Sequence, residues 1–351
     1  MYIVIAIIAF GLLIAVHELG HFAAAKLMGV RVLEFAIGMG PKLLKKQGRE
    51  TLYSLRALPF GGFCAMEEDE QARDSRSFTA KSRKRRVFIL AAGGIANFLA
   101  AFVLIIILVS QMNMFVGTTV AGLADGFPNA GEDGLMAGDR IVSINGERLY
   151  YAEDFSMFMG LARGGHVDLV INRGGDTIRL NRFPLERREY MTDGAVRLRY
   201  GIDFTVIESS AGETLKYSCY MAMNFVRLVR ISIAQLIGGY AGIRDLAGPV
   251  GMVDMMNTVG QTSPSVAAAL GNIAHFLALI GINIAVINLL PIPAMDGGRI
   301  TLIFLTWLIE KVTRRRVNPK YEGYIHYTAL ILLVGLMVFV LINDVLRIIN
   351  G

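Results

Sequence analysis

His17-Glu18-Leu19-Gly20-His21 brings two imidazoles and a carboxylate together within five residues. On an α-helix, positions four apart lie one turn apart on the same face, so both imidazoles can reach one metal ion with the glutamate beside it. This is the arrangement that zinc-dependent hydrolysis requires: ligands for the metal and a base for the attacking water. Three fixed residues are a modest pattern alone. The setting strengthens it, because Tyr2–Ala15 before the pentad and Phe22–Val30 after it are almost wholly apolar. Unpaired His and Glu in hydrocarbon cost several kcal/mol, so such a cluster is expected to bind a metal or to be fully hydrogen-bonded within itself.

The elements that must position this pentad are membrane spans. The chain has 351 residues, 54% of them hydrophobic, which is too apolar for an ordinary soluble domain, yet it carries 35 Lys/Arg against 29 Asp/Glu. The expected fold is a polytopic α-helical membrane protein with four main spans, an inserted α+β module outside the membrane and a membrane-associated β-hairpin on the cytoplasmic side. In chain order we expect a first span (1–30), a cytoplasmic loop with the hairpin (31–86), a second span (87–115), the module (116–206) and a connector with an interfacial helix over 213–238 (207–270). A third span interrupted by prolines (271–310), a basic cytoplasmic loop (311–325) and a fourth span with the C-terminus (326–351) complete the chain.

The first apolar run lacks a basic leader and a small-residue cleavage site, so it reads as a retained span. Fourteen Lys/Arg between Lys26 and Arg86, and Lys311, Arg314, Arg315, Arg316 and Lys320, put those loops in the cytoplasm by the positive-inside rule. The N-terminus, the module and the C-terminus are then outside. The net charge of +6 is explained by these loops and not by nucleic-acid binding. Cys64 and Cys219 offer neither a disulfide framework nor a CxxC metal site.

A catalytic zinc takes three protein ligands and leaves a fourth position for water. Of the remaining histidines, His166 falls in the module, His275 near the outer entrance of the third span and His326 at the start of the fourth. Asp296 is better placed. At about 1.5 Å of rise per residue it reaches the same inner depth as His17, and Pro291, Pro293, Gly297 and Gly298 break the helix around it. An ordinary turn or cap is the alternative role for Asp296, but an unligated carboxylate is costly in hydrocarbon.

Within the module, Gly134-Leu-Met-Ala-Gly-Asp-Arg-Ile-Val-Ser-Ile-Asn-Gly146 reads as turn, strand and turn, residues 152–163 as a helix, and Arg173–Asp176 as a hairpin turn between strands. This string resembles that of bacterial PDZ modules, which bind extended peptides by adding a strand to a sheet edge.

Taken together, His17–His21, Leu289–Gly298 and the intervening PDZ-like module resemble the bacterial site-2 protease family of intramembrane zinc metalloproteases. Ala57-Leu-Pro-Phe-Gly-Gly-Phe63 is similar to that family's membrane-associated hairpin, Ala92-Gly-Gly-Ile-Ala-Asn-Phe98 to its entry into the second span, and Ala247-Gly-Pro-Val-Gly251 to its approach to the third. The resemblance implies one zinc ion per chain held by His17, His21 and Asp296, Glu18 as base, and substrate contacts from Asn283 and Asn288. Gly94, Met295 and Arg299 depart from the common Pro, Leu and His, and there is one module where the best-known enterobacterial members have two.

The reaction implied is peptide-bond hydrolysis within a transmembrane segment, which must unwind because a helix hides its carbonyls. Thr51–Leu58 and Phe63–Met66 read as strands around Pro59–Gly62, and an edge near Gly61, Gly62 and Phe63 could hold the unwound substrate by β-addition. The resemblance also implies pre-trimmed single-pass substrates in a bacterial cell membrane, either anti-sigma factors or remnant signal peptides. Two other readings stand beside it: a non-catalytic membrane adaptor with a structural zinc, which needs a fourth ligand, and a zinc transporter, which needs further polar groups along its spans.

Overall fold

The computed structural model describes residues 2–68, 74–162, 164–192, 194–240, 242, 248–315 and 318–350. The chain forms two compact units, Met1–Leu108 with Met221–Gly351, and Val109–Tyr220. Helix α1 (Tyr2–Leu27) is the apolar run that carries the pentad. Lys26 in its last turn complements the helix dipole and pairs with Glu50, and Gly29 in a left-handed conformation (φ 70°) turns the chain out.

Strands β1 (Val32–Gln47) and β2 (Leu52–Met66) follow, with a pairing that differs from the expected one. Thr51–Leu58 and Phe63–Met66 do not pair with each other around Pro59–Gly62. Leu52–Arg56 returns along Lys42–Gln47, while Glu34–Ile37 lies between Leu52–Leu55 and Gly62–Ala65, so Phe35 faces Tyr53 on one side and Cys64 on the other. The cause is the apolar start of β1, where Val32 and Ala36 are fully buried and need cover on both flanks. Glu34 pins this central segment. Burial acts to raise its pKa, but hydrogen bonds from Ser54 (2.7 Å), Arg56 (2.9 Å) and Lys42 (3.1 Å) outweigh that and hold it at about 2. Gly62–Ala65 pairs with no further strand among the described residues.

Helix α2 (Arg83–Val109) leads into the second unit. There, β3 (Met114–Leu123), β4 (Arg140–Ile144), β5 (Glu147–Arg148), α3 (Ala152–Leu161), β6 (His166–Arg173), β7 (Asp176–Pro184), β8 (Arg188–Thr192), β9 (Ala195–Arg199) and β10 (Ile202–Glu208) follow in order. The sheet runs β10-β3-β4-β6-β7 with β5 on β4, and β8 and β9 form a separate hairpin. Ile141, Ile144, Leu169 and Ile171 are buried with Phe155 and Phe158 of α3. The Gly-Asp of the sequence string has a clear purpose: Asp139 is fully buried and takes a two-point bond from Arg173 at 2.7 and 2.8 Å. Asn145 and Gly146, both at positive φ, make the tight turn between β4 and β5. The expected helix 152–163 stops at Leu161, and Arg163 lies outside the described residues.

Five more helices follow among the described residues: α4 (Ala211–Ile237), α5 (Pro249–Thr262), α6 (Val266–Leu289), α7 (Asp296–Thr313) and α8 (Pro319–Asn350). Among the described residues five helices are long and apolar enough to cross a membrane, one more than the four main spans expected. The addition is α4, the least apolar of the five, where an interfacial helix was expected. The expected span 271–310 is two helices separated by residues 290–295, because Pro291 and Pro293 cannot donate to the helical ladder. Helix α5 was not anticipated within the connector; Ala247 before it and Arg316 in the basic loop lie outside the described residues.

Glycines set how closely the spans approach. A Cβ on Gly20 would lie 2.4 Å from the Ala92 carbonyl oxygen, and one on Gly281 would lie 3.0 Å from Ala101 Cβ, so α1 and α6 both press against α2. Met256 of α5 is buried with Ala6 and Leu13 of α1 and with Ile273 and Ile280 of α6. The N-terminus of α5 is held by α8: buried Asp344 accepts from the Gly248 amide (3.1 Å) and the Gly251 amide (2.8 Å). A carboxylate at a helix N-terminus satisfies donors that have no partner within the helix. Asp344→Ala should therefore destabilise the protein by about 2 kcal/mol and Asp344→Asn by less, measured by thermal unfolding in detergent.

Candidate metal centre

His17 and His21 project from α1 and meet Asp296 at the first residue of α7. His17 Nε2 and His21 Nε2 are 3.2 Å apart, and Asp296 Oδ2 lies 3.2 Å from the first and 3.1 Å from the second. A tetrahedral zinc with bonds of about 2.0–2.1 Å has ligand-to-ligand edges of about 3.3 Å, so the triangle is the size of a metal site. The tautomers point the same way. His21 Nδ1 lies 2.9 Å from the Ile89 carbonyl oxygen, which can only accept, so this nitrogen carries the proton. In the neutral ring Nε2 then offers a lone pair to a carboxylate oxygen. The three atoms enclose a point from which each could bind one cation. Among the described residues no other group of three or more His, Cys, Asp or Glu donors is so arranged.

Asp296 reaches this place through a strained connection. Ala294 sits in the left-handed region at φ 77°, and the turn leaves so little space that a Cβ on Gly297 or Gly298 would lie 2.2 Å from the carbonyl oxygens of Leu290 and Ile292 respectively. The two prolines end α6 and the two glycines let α7 start at once, which delivers the carboxylate to α1.

Helix α2 supplies the wall behind the imidazoles. Ile89, Gly93 and Asn97 recur every four residues on one face. Ile89 receives the His21 proton, and a Cβ on Gly93 would lie 2.4 Å from His21 Nε2 and 2.8 Å from His17 Cε1. Asn97, fully buried, has its amide 3.5 Å from His17 Nδ1. Sequence reasoning assigned no role to Gly93 or Asn97. The available signal was an amide in an apolar helix, in four-residue step with a glycine.

Glu18 is half-buried, on the side of α1 toward the hairpin: a Cβ on Gly62 would lie 3.2 Å from Glu18 Cγ. Gly61 is at φ 89°, and the Arg56 guanidinium lies over the Phe63 ring at 4.8 Å. Asn283 and Asn288 are half-buried on α6, and Asn283 Oδ1 is buried without a hydrogen-bond partner. His275 packs edge-on against Phe225 at 5.4 Å, and His166 is exposed in the second unit. Neither joins the centre.

The family model for peptidase family M50 matches residues 5–336. A Clostridium perfringens protein named as a zinc metalloprotease is 36% identical over 349 residues, covering 99% of both chains. One from Clostridium acetobutylicum is 37% identical over 350 residues, 99% of this chain and 98% of its own. The regulator of sigma-W protease RasP of Bacillus subtilis is 26% identical over 425 residues, 97% of each. With the pentad on a membrane-length helix and the aspartate brought to it from α7, this chain belongs to peptidase family M50, the site-2 protease family of zinc metalloproteases.

Proposed function

We propose that the protein hydrolyses peptide bonds within transmembrane segments of pre-trimmed single-pass proteins, using one zinc ion held by His17, His21 and Asp296, with Glu18 as the base. The observation that carries this reading is the convergence of three metal-binding atoms, at edges of 3.1 to 3.2 Å, from helices α1 and α7. When bound, zinc would acidify a water and polarise the scissile carbonyl. Glu18 would act as the base toward the attacking water and as the acid toward the leaving nitrogen. Its position beside the edge of the hairpin supports this role, since Gly62 leaves no side chain between that edge and the carboxylate.

An unwound substrate needs partners for its backbone in a setting with little water. The Gly62–Ala65 edge offers them by β-addition, and the unpartnered Asn283 Oδ1 can accept a substrate N–H. Asn288, one turn and a half further along α6, is placed to assist. The second unit, which we read as a PDZ-like module, admits substrates whose outer domains are already removed. The name of RasP, regulator of a sigma factor, supports anti-sigma factors as a substrate class, with remnant signal peptides as a second. The basic loops support a cell-membrane topology with both termini and the module outside and the metal centre toward the cytoplasm. The adaptor alternative is less well supported, because no fourth ligand joins the three among the described residues.

In proteoliposomes with a tagged single-pass substrate, Glu18→Gln should lower cleavage at least about 100-fold, and Asp296→Asn should lower it together with zinc content. Chelation should abolish cleavage and added zinc restore it; full activity of Glu18→Gln would sink the mechanism. In a variant lacking Cys64 and Cys219, external thiol labelling should reach Gly146→Cys and spare Gln47→Cys, and the opposite pattern would invert the topology. Deleting residues 117–205 should loosen substrate choice while cleavage continues, and complete loss would argue against a filter.

A further inference from the structure

We propose that Asn97 is the positioning residue for His17: its amide oxygen accepts the His17 Nδ1 proton and so keeps Nε2 free to bind the metal. This rests on the zinc-site reading above. The two histidines present Nε2 to the same point, so both need their proton on Nδ1 and an acceptor facing it. His21 has one in the Ile89 carbonyl at 2.9 Å. For His17 the polar group at hand is Asn97, on the same face of α2 as Ile89 and about two turns further along.

The amide nitrogen of Asn97 lies 3.5 Å from His17 Nδ1 and Oδ1 is buried with no partner, although the residue is completely shielded from solvent. The nitrogen and oxygen of an amide are assigned by their hydrogen-bond network. Donation from the nitrogen would fix a lone pair on Nδ1 and drive the His17 proton onto Nε2, which blocks that atom as a ligand. Turning the amide over gives the orphaned oxygen a donor and gives His17 the tautomer that His21 already has. Gly93 keeps the neighbouring face of α2 clear for both rings.

The test compares zinc affinity of the full chain in detergent, by chelator competition, for wild type, Asn97→Leu, Asn97→Asp and His21→Ala. Loss of a partner of this kind weakens metal binding about 10- to 100-fold, so Asn97→Leu should bind zinc at least about tenfold more weakly. Asn97→Asp, which keeps an acceptor and has no amide donor, should bind at least as well as wild type. The visible spectrum of the cobalt-substituted protein should change in Asn97→Leu and be retained in Asn97→Asp. Wild-type affinity in Asn97→Leu, or equal weakening in the Asp and Leu variants, overturns the proposal and leaves the metal centre standing, provided that His21→Ala has lost binding. Undiminished binding in His21→Ala overturns both. Should Asn97→Leu fail to fold, histidine side-chain nitrogen NMR of the zinc-loaded wild type decides: a protonated His17 Nδ1 supports the role and an unprotonated one refutes it.

Discussion

Three polar atoms that can each bind a metal are held within 3.2 Å by parts of the chain that lie 275 residues apart. Nothing in the pentad alone could enforce this. The constraint falls on helix packing: α1 must present two rings, α2 must support them, and the break before α7 must supply a carboxylate at the same level. The surrounding helices are shaped so that these three groups meet at one point.

Small residues meet that need. Gly20 lets the Ala92 carbonyl come into contact with α1, and Gly93 accepts the imidazoles against bare backbone. In lipid, helices gain little from burying apolar side chains against each other, so close backbone approach and shared polar contacts carry the association. The donation from His21 to the Ile89 carbonyl is one such contact, and the Asp344 carboxylate at the start of α5 is another. Family membership sets the chemistry that these contacts serve, and the glycine positions explain how this particular chain assembles it.

The meeting of His17, His21 and Asp296 was legible because its signals are local or nearly so: a four-residue step in an apolar run, and a Pro/Gly-broken aspartate at matching depth. The apolar runs also marked α1, α2, α6 and α8. What escaped were features that depend on long-range pairing. The hairpin was read as two adjacent strands because Pro59–Gly62 carries turn residues, whereas the buried Val32 and Ala36 draw β1 into the middle. Helix α5 escaped because its amphipathic surface gains meaning only against α1 and α6. In α4 the charges at Lys216, Arg227 and Arg230 argued for an interface, yet they are spaced widely enough to leave a helix of spanning length and hydropathy. Asn97 stood in the Ala92–Phe98 string that marked the second span, but its place opposite His17 depends on how α2 packs against α1.

The insertion of Glu34–Ile37 into the hairpin has an outcome for selectivity. Glu34–Ile37 is occupied on its other flank and tied there by Glu34, so the Gly62–Ala65 edge has its outward main-chain groups unpaired by any strand among the described residues. Main-chain groups are common to all residues. An enzyme that grips its target through them reads little of the target's side-chain identity and responds instead to how readily a segment gives up its helical form. Ranking of substrates would then follow the local fraying of their membrane helices, with glycine, proline and β-branched residues near the cleavage point acting as the effective signal.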